Sequence, residues 1–395
     1  MAAAAGVGTP VRAPSAVAAQ GRFRGGAAAL CTALVLAASA LCACDRDGAA
    51  SGAAAPVLNL YSWAEYFPDA VLAQFTAETG VRVNYAVFDS NDVAETTLSA
   101  GHSGFDLVTV NAAPHLGRQI PRGLWQPLDK ARLQNLGNVD ATILQMLARV
   151  DPGNRYAIPY MWGTTGIIYN ADMIRSIAPD APVDSLDMLL RPGLVEKFRD
   201  CGVSVLGTWV DMMPILLQYL GRPDLPVDAA SLALASRTFA AVRPALRRVT
   251  TSGYYDQLAR GELCLAIGYS ADAMVARRIA AQIGSGVRIE FRHPREVVPM
   301  YIDAFAIPAD APHPEAALRF IDFVLRPEIG AQLANATGFS IANTAAIARL
   351  EPALRDNPIA YPPPEVRARF AMERAFTMDE TRTLSRTWLH ARAGY

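Results

Sequence analysis

This chain of 395 residues has little of what most enzymes and metal centres draw on. Its five histidines, His102, His115, His293, His313 and His390, are scattered and form neither H-x-x-x-H nor H-E-x-x-H. No Gly-x-Ser-x-Gly elbow and no phosphate loop occurs either, so zinc peptidases, serine hydrolases and P-loop nucleotide enzymes lack their sequence signatures. An excess of positive charge is also missing: 36 Lys and Arg stand against 37 Asp and Glu, which argues against nucleic acid or an anionic membrane surface as partner. Cysteine is scarce. Of five, Cys31, Cys42 and Cys44 fall near the N-terminus and only Cys201 and Cys264 remain in the body. There is no internal repeat and no low-complexity segment beyond the N-terminus. At 52% hydrophobic and 18% charged residues the balance is globular, and the length suits about two ordinary domains.

Residues 1–26 are rich in Ala and Gly and carry Arg12, Arg22 and Arg24 but no acid; the uncharged apolar stretch Ala27 to Ala43 follows, then Asp45-Arg46-Asp47. That order is the order of an export signal, and the stretch is shorter than the roughly 20 residues that span a bilayer. Residues 1–43 are therefore expected to be a signal peptide and 44–56 a flexible tether. Removing the signal leaves 33 basic against 37 acidic residues. Leu41-Cys42-Ala43-Cys44 resembles the lipobox of bacterial lipoproteins, which implies a lipid on Cys44 and anchoring to the inner membrane; cleavage to a free periplasmic protein is the alternative, and both mean export. In an oxidising compartment Cys201 and Cys264 form a disulfide or remain two buried thiols.

Beyond the tether the pattern alternates strand and helix. Val57 to Tyr61 reads as a strand, and Asp69 to Thr79 as a helix with Val71, Leu72 and Phe75 on one face, stopped by Gly80. Val81 to Val87 alternates with period two, a helix spans about Ser90 to Ala100, and Phe105 to Val110 makes a third strand, so two βαβ units predict a parallel sheet. Tyr156 to Tyr169 is long, extended and punctuated by Pro and Gly, as a connection between lobes would be. A second α/β set follows, with strands near 203–206, 263–269 and 287–291 and helices near 211–220, 229–247 and 272–283, and Tyr301 to Ile307 leads back across. The expected fold is α/β and two-lobed, each lobe an open mostly parallel sheet flanked by helices: residues 57–164 with 304–342 form one lobe, 165–303 with 343–395 the other. A ligand cleft lies at the hinge.

Three apolar runs end in an aromatic residue with a carboxylate close behind: Trp63-Ala64-Glu65-Tyr66, Tyr269-Ser270-Ala271-Asp272 and Tyr301-Ile302-Asp303. With 5 Trp, 13 Tyr, 14 Phe and 37 acids, such pairs also arise by chance. These three stand where a strand-like run gives way to a turn or helix start, where α/β folds place ligand-binding groups. Carboxylates offset the lost hydration of a buried ammonium ion, and aromatic faces pack its methylene stem while adding roughly 0.5–2 kcal/mol of cation–π attraction.

Other segments complete a resemblance. Leu58-Asn59-Leu60-Tyr61-Ser62-Trp63, Val87-Phe88-Asp89-Ser90-Asn91, Gly104-Phe105-Asp106-Leu107-Val108, Pro159-Tyr160-Met161-Trp162-Gly163-Thr164-Thr165-Gly166, Cys201-Gly202-Val203-Ser204, Asn357-Pro358 and Tyr361-Pro362-Pro363 are similar to stretches of the polyamine-binding periplasmic proteins of ABC importers, most closely the putrescine-binding members. The likeness implies that family's two-lobed solute-binding fold and no cofactor or metal. It implies that Trp63 stacks on the ligand, Glu65 binds an amine, Tyr66 is a wall and Ser90 borders the site. It further implies that Asp211, Asp272 and Asp303 are carboxylate partners, that Tyr269, Tyr301 and Phe339 are walls, and that Cys201 and Cys264 are a disulfide. The expected partners are a polyamine and a membrane permease, with the chain a monomer.

Departures affect the choice of amine. Tyr269 stands where putrescine binders have tryptophan, Phe339 where a tyrosine hydroxyl is expected, and Gly207-Thr208-Trp209-Val210-Asp211 replaces a more acidic loop. Agmatine, cadaverine or spermidine would use the same chemistry. Three other readings compete: a ferric-ion binder, from the adjacent pair Tyr254-Tyr255, an exported hydrolase with a carboxylate pair, and a ligand-loaded sensor subunit that shares the fold and ligand and differs only in its membrane partner.

Overall fold

The computed structural model describes residues 55–64 and 66–394. The expected signal peptide, nearly all of the tether, Cys44 and Glu65 lie outside the described residues. Eleven strands join in one sheet system: β1 (Val57–Trp63), β2 (Arg82–Phe88), β3 (Leu107–Asn111), β4 (Ala157–Asn170), β5 (Val203–Val205), β6 (Arg248–Val249), β7 (Leu265–Tyr269), β8 (Ile289–Arg292), β9 (Val298–Ala306), β10 (Ser340–Ile341) and β11 (Phe370–Ala371). Their main order is β2-β1-β3-β9-β4-β7-β5-β6.

The first half grows from the two predicted βαβ units. The helix Asp69–Thr79 buries Val71 and Phe75 and stops at Gly80, whose φ of 71° lets its N–H close on the Thr76 carbonyl. Ser90 caps the helix Asn91–Ser99 by accepting from the Val93 N–H. β1, β2 and β3 run parallel, as right-handed helical crossovers require. In the second half β5 is parallel to both β6 and β7.

β4 joins the halves. All fourteen of its residues are buried, which is why it reads as an almost unbroken apolar run. Residues 157–164 pair antiparallel with β9, and 165–170 pair antiparallel with β7 and β8. β9 also pairs antiparallel with β3. Each half thus keeps a parallel three-strand nucleus; β9 runs against the first and β4 against the second.

Three sets of buried side chains follow this division. Leu58, Leu60, Phe75, Phe305 and Phe320 anchor the first core, with Tyr61, Val110, Trp162 and Ile302 in a further set of the same half, and Ile167, Leu216, Phe239, Leu265 and Trp388 anchor the second. The C-terminal stretch serves both. Asn343 caps a short helix through the Ala346 N–H at 3.0 Å and donates to the Leu325 carbonyl at 2.9 Å. That turn sends Ala346, Leu350, Leu354 and Ala360 into the first core, where a sequence division at Asn343 assigns them to the second lobe; Ile359, Phe376, Leu384 and Trp388 enter the second.

Cys201 and Cys264 form a disulfide with Cα atoms 5.5 Å apart. It ties the approach to β5 to the approach to β7 and closes a separation of 63 residues, a constraint worth about 4 kcal/mol on the chain-entropy account. Among the described residues no helix is long and apolar enough to cross a membrane.

Candidate ligand-binding site

Five of the expected site positions stand at or just beyond the C-terminal ends of parallel strands. Trp63 ends β1, Ser90 follows β2, and Tyr269 ends β7; Asp272 lies in the first turn of the helix Ser270–Ile283 and Asp211 in the first turn of Trp209–Tyr219, which follows β5. Strands stop there while their helices turn away, which is where open α/β sheets place their ligands. Tyr301 and Asp303 come from β9; two residues apart on a strand, they share one face. Asp303 sits opposite Asn111 of β3 and Met161 of β4 and is 3% exposed.

Hydrogen bonds and ring contacts tie these positions together. The Tyr66 hydroxyl donates to Asp303 Oδ2 at 2.6 Å, and its ring lies 5.3 Å from Phe339 and 6.1 Å from Tyr160. The Tyr254 hydroxyl donates to Asp272 Oδ2 at 2.6 Å and accepts from the Tyr269 N–H at 3.0 Å. Tyr269 donates through its hydroxyl to Asp211 Oδ1 at 2.9 Å, while Thr208 donates to the other oxygen. Tyr269 and Tyr301 meet edge to face with centroids 5.5 Å apart. Tyr301 in turn lies in the fields of Asp303, Asp272 and Asp211.

Room for the rings comes from two glycines. A Cβ at Gly163, which faces Tyr301 across the β4–β9 pair, would sit 2.5 Å from Tyr301 Cζ; one at Gly268 would sit 2.5 Å from the Tyr254 hydroxyl oxygen.

The electrostatics set this cluster apart. Burial pushes the carboxyls of Asp303 and Asp272 up to about 6, against smaller lowering by the hydrogen bonds from Tyr66 and Asn111 and from Tyr254 respectively. Burial also raises Asp211, with Thr208 and Tyr269 opposing. Tyr66, Tyr254, Tyr269 and Tyr301 are all raised, first by burial and then by neighbouring carboxylates, so these phenols stay neutral donors. Among the described residues no Lys, Arg or His is paired with Asp211, Asp272 or Asp303.

The contrast is the acidic group Asp92, Glu95 and His115, whose ligand atoms lie within 4.8 Å of one another. There Arg118 bonds both acids and Arg122 bonds Glu95 at 2.6 Å, so protein cations already fill it. Three acids without a counter-ion, Asp303 buried and Asp211 and Asp272 half-buried, walled by aromatics, are arranged to take a cation from outside.

The structure brings Tyr66, Asp211, Tyr269, Asp272, Tyr301, Asp303 and Phe339 into one connected network. Trp63 packs its ring against Phe88 at 4.5 Å, and Ser90 serves as a helix cap; no hydrogen bond or ring contact among the described residues joins these two to the carboxylates. Sequence reasoning missed Tyr254, Thr208 and Asn111 as partners of the acids. Tyr254 also removes the basis of the ferric reading: it begins the helix Tyr254–Arg260, is 0% exposed, and already uses its oxygen as donor to Asp272 and acceptor from Tyr269.

The fold and this cluster suit an α/β solute-binding protein. The chain belongs to the bacterial extracellular solute-binding proteins, whose family pattern matches residues 70–362. It is 38% identical over 339 residues to the putrescine-binding periplasmic protein PotF of Escherichia coli, covering 85% of this chain and 91% of that one. It is likewise 38% identical over 354 residues to the putrescine-binding periplasmic protein SpuD of Pseudomonas aeruginosa, covering 88% and 95%. In three dimensions it resembles the spermidine/putrescine ABC transporter substrate-binding protein PotD of Streptococcus pneumoniae, with a TM-score of 0.74, 23% identity, and 86% and 99% of the two chains covered. These relatives are binding components rather than enzymes, and the hydrolase reading finds no support among them. The expected periplasmic location agrees with theirs.

Proposed function

We propose that this protein is the periplasmic binding component of an ABC importer and holds a polyamine, putrescine or a near relative, between its two halves. The observation that carries the reading is the set of carboxylates Asp303, which is buried, and Asp211 and Asp272, which are half-buried, with aromatic walls and no protein cation among the described residues. In this reading Asp303 and Asp272 pair with ammonium groups, and Tyr66, Tyr269, Tyr301 and Phe339 pack the methylenes. Trp63, Glu65 and Ser90 complete the site from the first half, as the resemblance implies.

In this reading the lobes divide near residues 164 and 303; β4 contributes to the cores of both halves, and β9 pairs with β3 and with the first part of β4. The ligand docks on one half and draws in the other; binding shifts the open–closed population by its preference for the closed form, and a permease reads that form. The protein releases its ligand unaltered, acts as a monomer, and is held at the membrane through Cys44 if that cysteine is lipidated.

Titration calorimetry with putrescine, agmatine, cadaverine and spermidine tests the assignment: a one-to-one complex with at least one is expected, and no heat from any of them overturns it. The same titration on Gly163→Ala is expected to show binding weakened roughly tenfold, because the new methyl group displaces the Tyr301 ring at an overpacking cost of about 1–3 kcal/mol.

A further inference from the structure

Glu373 was not anticipated by any motif. It lies between β11 and the helix Met378–Ala393. Its Oε2 is shut away from solvent and has no hydrogen-bond partner among the described residues. The neighbouring cation does not serve it: the Arg374 guanidinium bonds both Glu380 oxygens, at 2.7 and 3.2 Å, and the carbonyls of Leu225 and Ala375, and covers the Phe376 ring at 4.5 Å. Instead Glu373 lies in the field of another acid, Asp211. The placement is built in, because the Phe376 ring, three residues on, contacts Trp209 at 6.0 Å on the first turn of the helix that carries Asp211. A carboxyl oxygen shut in beside a second acid with no cation among the described residues is costly in the empty protein.

We infer that Glu373 is a ligand-contacting residue which, together with Asp211, receives one positively charged group of the polyamine, forming a second acidic end of the site linked to Asp303 through Tyr269 and Tyr301. The inference rests on the polyamine reading. Asp211 is the single acid in the loop Gly207 to Asp211, and a carboxylate delivered from the C-terminal segment doubles the negative charge there. Because that segment enters the second core, the contact also makes closure around the ligand depend on residues far from the βα edges.

The test is calorimetry on the full chain with Glu373→Gln and Glu373→Met, using putrescine, agmatine and spermidine, with thermal melts of the empty proteins alongside. The expected result is an affinity at least about tenfold lower for whichever amine the unaltered protein holds most tightly, as removal of one partner of a buried ion gives. The melting temperature of the empty protein should stay level or rise, since an unpaired buried acid is gone. Unchanged affinity in the glutamine variant, or lost affinity accompanied by a lower melting temperature in both variants, overturns the inference. Failure of the unaltered protein to bind any amine would instead overturn the reading beneath it.

Discussion

Asp303→Ala is expected to weaken polyamine binding by about 2–5 kcal/mol, roughly 30- to 4000-fold. Asp303 is held by the sheet on both sides, opposite Asn111 of β3 and Met161 of β4, and only 3% of it is exposed. The residue therefore cannot be replaced by a flexible neighbour, and a bound ammonium group would lose its buried counter-ion outright. In the empty protein the same change removes an acid that burial disfavours and leaves the Tyr66 hydroxyl without its 2.6 Å acceptor. Those effects oppose each other, so the melting temperature should move far less than the affinity. An unchanged dissociation constant by calorimetry would remove Asp303 from the site.

The second large effect is in pH, and it runs in opposite directions for stability and binding. Asp303 and Asp272 are raised to about 6, whereas an unfolded aspartate titrates near about 3.9. Between those values the empty folded protein holds protons that the unfolded chain has lost. The contribution of these two groups to stability therefore falls as pH rises from about 4 through about 6, by about 3 kcal/mol for each carboxyl, while His293, held down to about 4 by burial, opposes it over the same range. Acids such as Asp92 and Glu380, lowered to about 2 by hydrogen bonds from His115 and Arg374, act the other way, and their stabilisation is lost only as pH falls below about 4.

On acidification from about pH 6 to about pH 4, melts of the empty unaltered protein should thus hold up better than those of Asp303→Asn, which lacks this contribution. Binding of an ammonium ligand requires both aspartates ionised. Affinity should rise with pH, by as much as about tenfold per unit for each carboxyl below about 6, and level off above about 7. Calorimetry at about pH 5 and about pH 7.5 measures this; equal affinities at the two values would show that these carboxyls do not meet the ligand's charge.

The sequence announced the strands and helices of both halves because their endings carry local chemistry. Gly80 closes one helix, Ser90 opens the next, and the alternation of Val81 to Val87 belongs to a strand exposed on one side. Asp272 and Asp303 were legible for a related reason: each follows an apolar run that ends in an aromatic. Asp211 and Phe339 have no such local mark and came only through the resemblance. Tyr254 was hidden because its partnership with Asp272 spans 18 residues and nothing in a helix-start tyrosine signals a buried hydroxyl. Glu373 was hidden more deeply, in a short irregular stretch whose course is set by how the last helix meets the second core. The return of residues 344–360 to the first core was equally opaque, since several short helices with little periodicity point to no particular partner.

Placing Tyr301 and Asp303 on one face of a strand paired on both sides has a consequence for how such a protein could change its preference. The two side chains are spaced by the strand repeat, about 7 Å, and neighbouring strands hold that gauge rigid. On the polyamine reading, retuning toward a longer or shorter guest would leave this ruler alone and act at the helix starts bearing Asp211 and Asp272 and in the segment around Glu373, whose side chains are not spaced by a strand repeat. Divergence among descendants of this sequence with new appetites should concentrate at those ends of the measure.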